Sequence, residues 1–105
     1  MVRHRLHSTV ALGRMNDALD WARQMNEIAG KRGWPVGRVL MPGFGKVNGF
    51  IYEREFADFA TMERIDMAFY ADDEAMKVWR KATDLNAPGS HPWDECEVAA
   101  PDHLA

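Results

Sequence analysis

The sequence predicts an α+β domain with the element order β-α-β-β-α-β, in which an antiparallel sheet packs against two helices on one face. Three observations support this fold class. Alternating apolar and polar residues mark strands near both ends of the chain, apolar residues spaced three and four apart mark two helical stretches, and a glycine-rich segment joins two strands in the middle. The length of 105 residues is that of one domain.

The first strand is predicted over residues 2–11, where every second side chain is mostly apolar. The opposite face of this strand is basic and carries Arg3, Arg5 and His7. Apolar residues then recur along one helical face over residues 15–29, which predicts the first helix. Because glycine readily takes the left-handed cap conformation, this helix is expected to end within residues 30–33.

A hairpin is predicted next, with strands over residues 36–41 and 50–56 and a glycine-punctuated loop over residues 43–49. Side chains alternate along a strand, so the second of these strands has two different faces. One face is aromatic and carries Phe50, Tyr52 and Phe56. The other face carries Ile51, Glu53 and Glu55.

The second helix is predicted to begin after an N-cap at Asp58 and to be interrupted near Ala71. Turn-forming residues at 86–90 end this helical stretch. A short last strand is expected over residues 91–100, because acidic and less polar side chains alternate there.

We expect one domain over residues 1–100 and a C-terminal tail over residues 101–105, in the arrangement of ferredoxin-like domains. The formal net charge of −3 argues against nucleic acid or anionic lipid as a partner. The sequence also lacks an apolar run long enough for a transmembrane helix, so no membrane partner is expected. The single cysteine, Cys96, and the lack of an apolar leader over residues 1–5 predict a cytoplasmic setting.

The histidines and the cysteine do not form a pattern typical of a metal site. His4 and His7 are three residues apart on a strand, so their side chains point to opposite faces and cannot chelate one ion. Cys96 alternates with Glu95 and Glu97, so the thiolate and the carboxylates diverge. The sequence therefore predicts no metal ion and a buried free cysteine.

Three segments carry a resemblance to a known superfamily: residues 13–32 as the first helix, residues 38–56 with the Phe44-Gly45-Lys46-Val47-Asn48 loop, and residues 68–76 in the second helix. Their layout resembles that of the dimeric α+β barrel proteins, which include NIPSNAP-like and antibiotic-biosynthesis-monooxygenase-like domains. The resemblance implies a homodimer whose two sheets face each other with the helices outside. No histidine lies in the predicted helices, where haem-degrading relatives hold their axial ligand, so no cofactor is expected.

The sheet face turned away from the helices is the predicted ligand-binding surface. Its candidate residues, together with two residues of the loop, are Arg5, His7, Arg38, Phe44, Lys46, Glu53 and Glu95. One hypothesis makes Glu53 or Glu55 a general base, with an anionic substrate such as an enolate or phenolate held by Arg5 or His7. The alternative is that Glu53 and Glu55 form salt bridges with Arg3, Arg5 or Arg38 across the dimer. Phe44 and Lys46 are interpreted as a lid over the ligand.

Two classes of function remain open. The resemblance implies a homodimeric protein with a small-molecule pocket, either between sheet and helices or at the dimer interface. A cofactor-independent monooxygenase or isomerase acting on a small aromatic or enolic substrate is the catalytic form of this hypothesis. The alternative is a noncatalytic structural or interaction domain, because the sequence has no compact group of acid, base and nucleophile. A cavity beside the charged residues would favour the first class.

Overall fold

The computed structural model describes residues 1–100, and the predicted tail at 101–105 lies outside the described residues. Within residues 1–100 the elements are, in chain order, β1 (Val2–Thr9), α1 (Met15–Arg32), β2 (Arg38–Leu40), β3 (Gly49–Phe56), α2 (Phe59–Tyr70), α3 (Asp73–Trp79), α4 (Ala82–Leu85) and β4 (Trp93–Val98). The strands form one antiparallel sheet in the order β2-β3-β1-β4. The predicted α+β fold with a ferredoxin-like sheet is therefore confirmed.

Strand β1 lies between β3 and β4 and pairs with both, so its register fixes which side chains share a face. Arg5 is opposite Glu53 on β3 and opposite Glu95 on β4. The inner face, which packs against the helices, carries Val2, His4, Leu6, Tyr52, Arg54, Phe56, Asp94 and Cys96. The outer face carries Arg3, Arg5, His7, Arg38, Glu53, Glu55, Trp93, Glu95 and Glu97.

Helix α1 covers the inner face with the apolar stripe that its spacing predicts. Its buried residues are Ala18, Trp21, Ala22, Met25, Ile28 and Ala29. The helix ends at Gly33, whose φ of 72° is the left-handed conformation expected of a glycine cap. The indole N–H of Trp21 donates to the backbone oxygen of Val78 at 2.9 Å, which ties α1 to α3.

The second helical stretch consists of three helices instead of one. The Asp58 carboxylate accepts the backbone N–H of Thr61 at 2.7 Å, and the Asp72 carboxylate accepts that of Ala75 at 2.9 Å. The break predicted near Ala71 is thus confirmed, because Asp72 caps a new helix. A second break precedes α4, which turns the chain so that Leu85 is buried.

Strand β2 covers Arg38–Leu40 and is shorter than the predicted strand over residues 36–41. The amide side chain of Asn26 bonds both the N–H and the carbonyl of Gly37, each at 2.8 Å, so the chain there is held by α1 and not by the sheet. Gly37 also lies against Tyr52, and a Cβ atom at this position would be 2.3 Å from the ring. Only glycine fits this contact.

Strand β4 is an edge strand that the helices leave uncovered. Asp94, Cys96 and Val98 point to the inner side of the sheet but are exposed. The prediction of a buried cysteine is therefore wrong, since Cys96 is exposed and free. Alternation predicted the face of this residue correctly, but it does not report whether a helix lies beneath it.

Candidate functional site

The outer face brings together the five predicted candidates that lie on strands. Glu53 is only 2% exposed and accepts a hydrogen bond from Nε of Arg5 at 2.8 Å and one from Nε of Arg38 at 2.8 Å. Arg5 also donates to Glu95 at 3.0 Å and to Glu97 at 2.6 Å. The name outer ion network is used below for the arginines and glutamates of this face: Arg3, Arg5, Arg38, Glu53, Glu55, Glu95 and Glu97.

The outer ion network holds two of its carboxylates, Glu53 and Glu95, in the charged form. Burial by itself raises the pKa of Glu53, but the hydrogen bonds from Arg5 and Arg38 and the charges of Arg38 and Arg3 outweigh it, so the pKa of Glu53 lies below its usual value. Hydrogen bonds from Arg5 and His7 likewise lower the pKa of Glu95. Glu53 is a poor general base in this setting, because both its oxygens are already bonded to arginine.

The remaining candidates lie beside the network. The His7 ring stacks on Trp93 with their centroids 3.8 Å apart, and its Nε2 lies 3.2 Å from Glu95. Lys46 joins His7 and Trp93 in the lining of a shallow cavity of about 190 Å³. Phe44 is fully exposed at the loop tip, and the structure does not bring it to this cavity. Ligand binding by these residues stays a prediction.

The inner face borders a larger cavity, called the sheet–helix cleft below, which occupies one of the two pocket locations that the resemblance implies, although none of the predicted candidate residues lines it. Its volume is about 300 Å³. A second cavity of about 260 Å³ adjoins it, and Leu6 and Trp79 line both. The cleft is lined by His4, Leu6, Met25, Ile28, Ala29, Trp34, Pro35, Tyr52, Arg54, Asp66, Phe69, Tyr70, Trp79 and Asp94.

Aromatic rings form much of the wall of the sheet–helix cleft. Phe69 packs edge to face on Trp34 and on Trp79, with centroids 6.2 and 5.5 Å apart. Burial raises the pKa of Tyr52 despite the opposing charge of Arg54, so the phenol stays protonated. The Tyr52 hydroxyl donates to Asn26 at 2.5 Å, so its proton is not available to a ligand. The wall is therefore apolar in character although it contains a tyrosine.

Polar groups of the cleft form a linear chain of four side chains. Asp94 lies 2.9 Å from Nε2 of His4, Arg54 lies 3.2 Å from Nδ1 of the same ring, and Asp66 accepts from Arg54 at 3.1 Å. The guanidinium of Arg54 also lies 5.0 Å above the ring of Phe56. The His4 and Arg54 side chains are each 16% exposed, whereas Asp94 is 69% exposed at the rim.

One signal in the sequence indicated these hydrogen-bonded side chains. His4 and Arg54 interrupt faces that are otherwise apolar or aromatic, and polar groups on a core face require partners. The partners themselves were not predictable, because Asp94 lies 90 residues from His4 along the chain. Within residues 1–100 the structure contains no cluster of three or more side chains suited to a metal ion. Likewise, none of the helices in this range is long and apolar enough to cross a bilayer.

Comparisons with known proteins show which fold this is. No protein-family model matches the chain, and no curated protein matches it significantly. Among solved structures, an uncharacterized NIPSNAP domain protein from Burkholderia xenovorans is similar with a TM-score of 0.77 and 12% identity, over 97% of this chain and 97% of that one. A NIPSNAP family protein of unknown function from Agrobacterium tumefaciens gives a TM-score of 0.76 and 14% identity, over 97% of this chain and 90% of that one.

An antibiotic biosynthesis monooxygenase is similar as well, with a TM-score of 0.71 and 11% identity over 96% of this chain and 100% of its own. These likenesses confirm the resemblance in fold that the layout of helices and hairpin predicts. Similarity at such low sequence identity shows a shared fold but not a shared activity, because one fold hosts many functions.

Proposed function

We propose that the protein binds a small aromatic molecule with a hydroxyl group in the sheet–helix cleft. The observation that carries the proposal is the combination of aromatic walls with one polar chain at the rim. A volume of about 300 Å³ is at the lower end of the range for small-molecule sites, which are mostly apolar with a few convergent polar groups. The two faces of the sheet thus divide their roles, with the ligand inside and the ion network outside.

The charges of the cleft favour a ligand that enters as a neutral hydroxyl over one that enters as an anion with no proton to give. Arg54 brings one positive charge to the lining, whereas Asp66 and Asp94 bring two negative charges. A carboxylate ligand would face this excess of negative charge, while a phenol or enol both donates and accepts a hydrogen bond. A phenol or enol can therefore bond both kinds of group in the cleft, because the carboxylates accept and the guanidinium donates.

The test is retention of 4-nitrophenol in equilibrium dialysis. Leu6 lies on the inner face and lines both cavities, so Leu6→Trp fills the cleft and is expected to abolish retention. Ile51→Trp is the matched control, because Ile51 lies on the outer face of the neighbouring strand and lines only the shallow cavity. Circular dichroism verifies that both variants fold. Retention lost in Ile51→Trp but kept in Leu6→Trp would move the site to the shallow cavity of His7 and Lys46 and contradict the proposal.

Chemistry on the bound molecule is the second candidate, in the form of cofactor-independent oxygenation or isomerisation of an aromatic or enolic substrate. The fold shared with an antibiotic biosynthesis monooxygenase and the histidine in the cleft favour it. Oxygen uptake with 1,4-dihydroxynaphthalene above its rate of autoxidation would support oxygenation. Binding without turnover would indicate a ligand-binding protein that is not an enzyme. Absence of binding would favour the noncatalytic interaction domain.

We further propose that the outer face pairs with a second copy of the chain in the cytoplasm. The face carries both signs of charge, so a twofold axis can set cations opposite carboxylates. Trp93 is 53% exposed on this face and adds apolar surface beside the network. Native mass spectrometry of freshly purified protein reports both subunit number and any retained ligand. A monomer at micromolar concentration would contradict the dimer.

A further inference from the structure

The hydrogen bonds of His4 assign its tautomer. A guanidinium has only donors, so Nδ1 of His4 must accept the bond from Arg54 at 3.2 Å. The ring proton is then on Nε2, which faces the Asp94 carboxylate at 2.9 Å. A carboxylate bonded to one ring nitrogen orients a histidine and stabilises the imidazolium that forms when the other nitrogen takes a proton.

The nitrogen that would take the proton is at the cleft. His4 and Arg54 both line the cavity, and their contact of 3.2 Å is at the long end of the hydrogen-bond range. Arg54 has a second anchor, because its other amino group donates to Asp66 at 3.1 Å. Arg54 therefore stays in place as a cation when a ligand breaks its bond to the imidazole.

We propose that His4 is a base that a bound ligand uncovers. The phenol or enol hydroxyl enters between Nδ1 of His4 and Nη2 of Arg54, donates to the first and accepts from the second. The O–H bond breaks, an N–H bond forms at Nδ1, and the electron pair stays on the ligand oxygen beside the guanidinium. The step transfers one proton and needs no oxidant or reductant. It rests on the proposed binding of such a molecule in the sheet–helix cleft.

Charged and titratable groups face His4 from each neighbouring element. Arg54 approaches from β3, and Asp94 and Cys96 lie on β4, where Cys96 is the register partner of His4. Asp66 and Tyr70 border the same cavity from α2. Asp94 would stabilise the imidazolium and Arg54 the ligand oxyanion, so each charge created by the transfer has a partner already in place.

Visible absorption of 4-nitrophenol tests the transfer, because only its phenolate absorbs there. At a pH below the solution pKa of the probe, binding to the wild-type protein is expected to raise the phenolate-to-phenol ratio about tenfold, equivalent to a shift of about one pKa unit. His4→Gln is expected to retain the probe in dialysis and to lose this rise. Asp94→Asn is expected to reduce it, since Asp94 acts through His4 as a positioning residue.

His7→Gln is the matched control. His7 lies on the same strand, also contacts a carboxylate, and points to the outer face, so its loss should leave the bound probe unchanged. Equal ionisation in wild type and His4→Gln would overturn the assignment of His4, as would retention by the wild type with no ionisation. Failure of the wild type to retain the probe would instead contradict the proposed function and remove the base with it.

Histidine ring ¹⁵N shifts in the wild-type protein provide a readout that needs no variant. The free protein should show His4 with its proton on Nε2, and added 4-nitrophenol should convert to imidazolium a fraction of this ring that matches the fraction of bound probe present as phenolate. A His4 spectrum that keeps the neutral tautomer at saturating probe would overturn the proposal.

Discussion

The two faces of the sheet use the same kinds of side chain for different ends. On the outer face Glu53 is enclosed, with Arg5 and Arg38 each bonded to it at 2.8 Å. On the inner face His4 and Arg54 meet at 3.2 Å beside a cavity of about 300 Å³. Most of the outer groups bond one another, with Nε of Arg3 left without a hydrogen-bond partner, whereas the inner polar side chains border space that a ligand can fill.

The difference teaches that a cluster of charged residues does not by itself indicate a binding site. A charged network whose central carboxylate has both oxygens bonded to arginine acts in structure, even where open cavities border it as they do on the outer face. A shorter chain of polar groups next to a cavity can exchange one of its bonds for a bond to a ligand. Three substitutions and one change of pH separate these roles, and they follow in order of expected effect.

Glu53→Gln should be the most destabilising change on the outer face. The substitution keeps the shape of the side chain but leaves Arg5 and Arg38 next to a neutral amide. Loss of charge-assisted bonds at a buried carboxylate is expected to lower the free energy of unfolding by about 2 to 3 kcal/mol. Urea unfolding measures this loss. Glu55→Gln is the control, and it is expected to lower the free energy of unfolding by less than about 1 kcal/mol, because the ion pair of Glu55 with Arg3 is exposed. Equal losses in both variants would contradict the central role of Glu53.

Acid should reduce the difference between the wild type and Glu53→Gln. The pKa of Glu53 is lower in the folded protein than its ordinary value of 4.5, so folding favours the carboxylate. Its stabilisation is fully present above the unfolded-state pKa and is lost as the pH falls through the folded-state pKa. The two proteins should therefore differ by a constant amount near neutral pH and converge below about 4.5. Urea titrations across this range measure the effect, and parallel curves would contradict it.

Gly37→Ala should disturb the wall of the sheet–helix cleft. The new Cβ atom would lie 2.3 Å from the Tyr52 ring, which must move and strain its bond to Asn26. Overpacking of this kind is expected to cost about 2 kcal/mol in the free energy of unfolding. Gly30→Ala is the control, because Gly30 lies in α1 with open space around it, and alanine there should stabilise by up to about 1 kcal/mol. Thermal unfolding distinguishes the two, and a neutral Gly37→Ala would contradict the contact.

Asp66→Asn should have the smallest effect on stability, at less than about 1 kcal/mol, because its pair with Arg54 is partly exposed. The same change removes one of the two negative charges of the cleft. We therefore expect tighter binding of an anionic probe, 4-nitrobenzoate, by about threefold to tenfold. Dialysis measures this affinity. An unchanged affinity for the anion would contradict the view that lining charge selects the ligand.

Much of the fold follows from local pattern. The apolar spacing in α1, the caps at Asp58 and Asp72 and the alternation in β1 and β3 each depend on residues close together in sequence. The charged outer face was predictable for the same reason. Alternation assigns side chains to faces, and a register that sets Arg5 between Glu53 and Glu95 then creates the ion pairs.

The volume and the lining of the cleft were not predictable, although the resemblance implied a pocket either there or at the dimer interface, because both depend on how far each layer extends. Periodicity places Phe59 on the apolar side of α2, yet it is 51% exposed. Cys96 lies on the expected face but is exposed and not buried, since none of the helices within residues 1–100 covers β4. The bond between His4 and Asp94 requires the pairing offset of β4, and alternation alone is equally compatible with other offsets.

The alternation in β4 has a consequence for how this chain tolerates length changes. Trp93 faces outward and Asp94 inward, so one inserted residue within the strand would reverse every following side chain. Glu95 and Glu97 would then turn toward the cleft and away from Arg5, which would keep only Glu53. An insertion ahead of Asp94 would also separate His4 from its carboxylate. An insertion in the preceding turn at residues 87–91 leaves the register intact. Related sequences should accordingly vary in length within that turn and keep a fixed length from Trp93 to Val98.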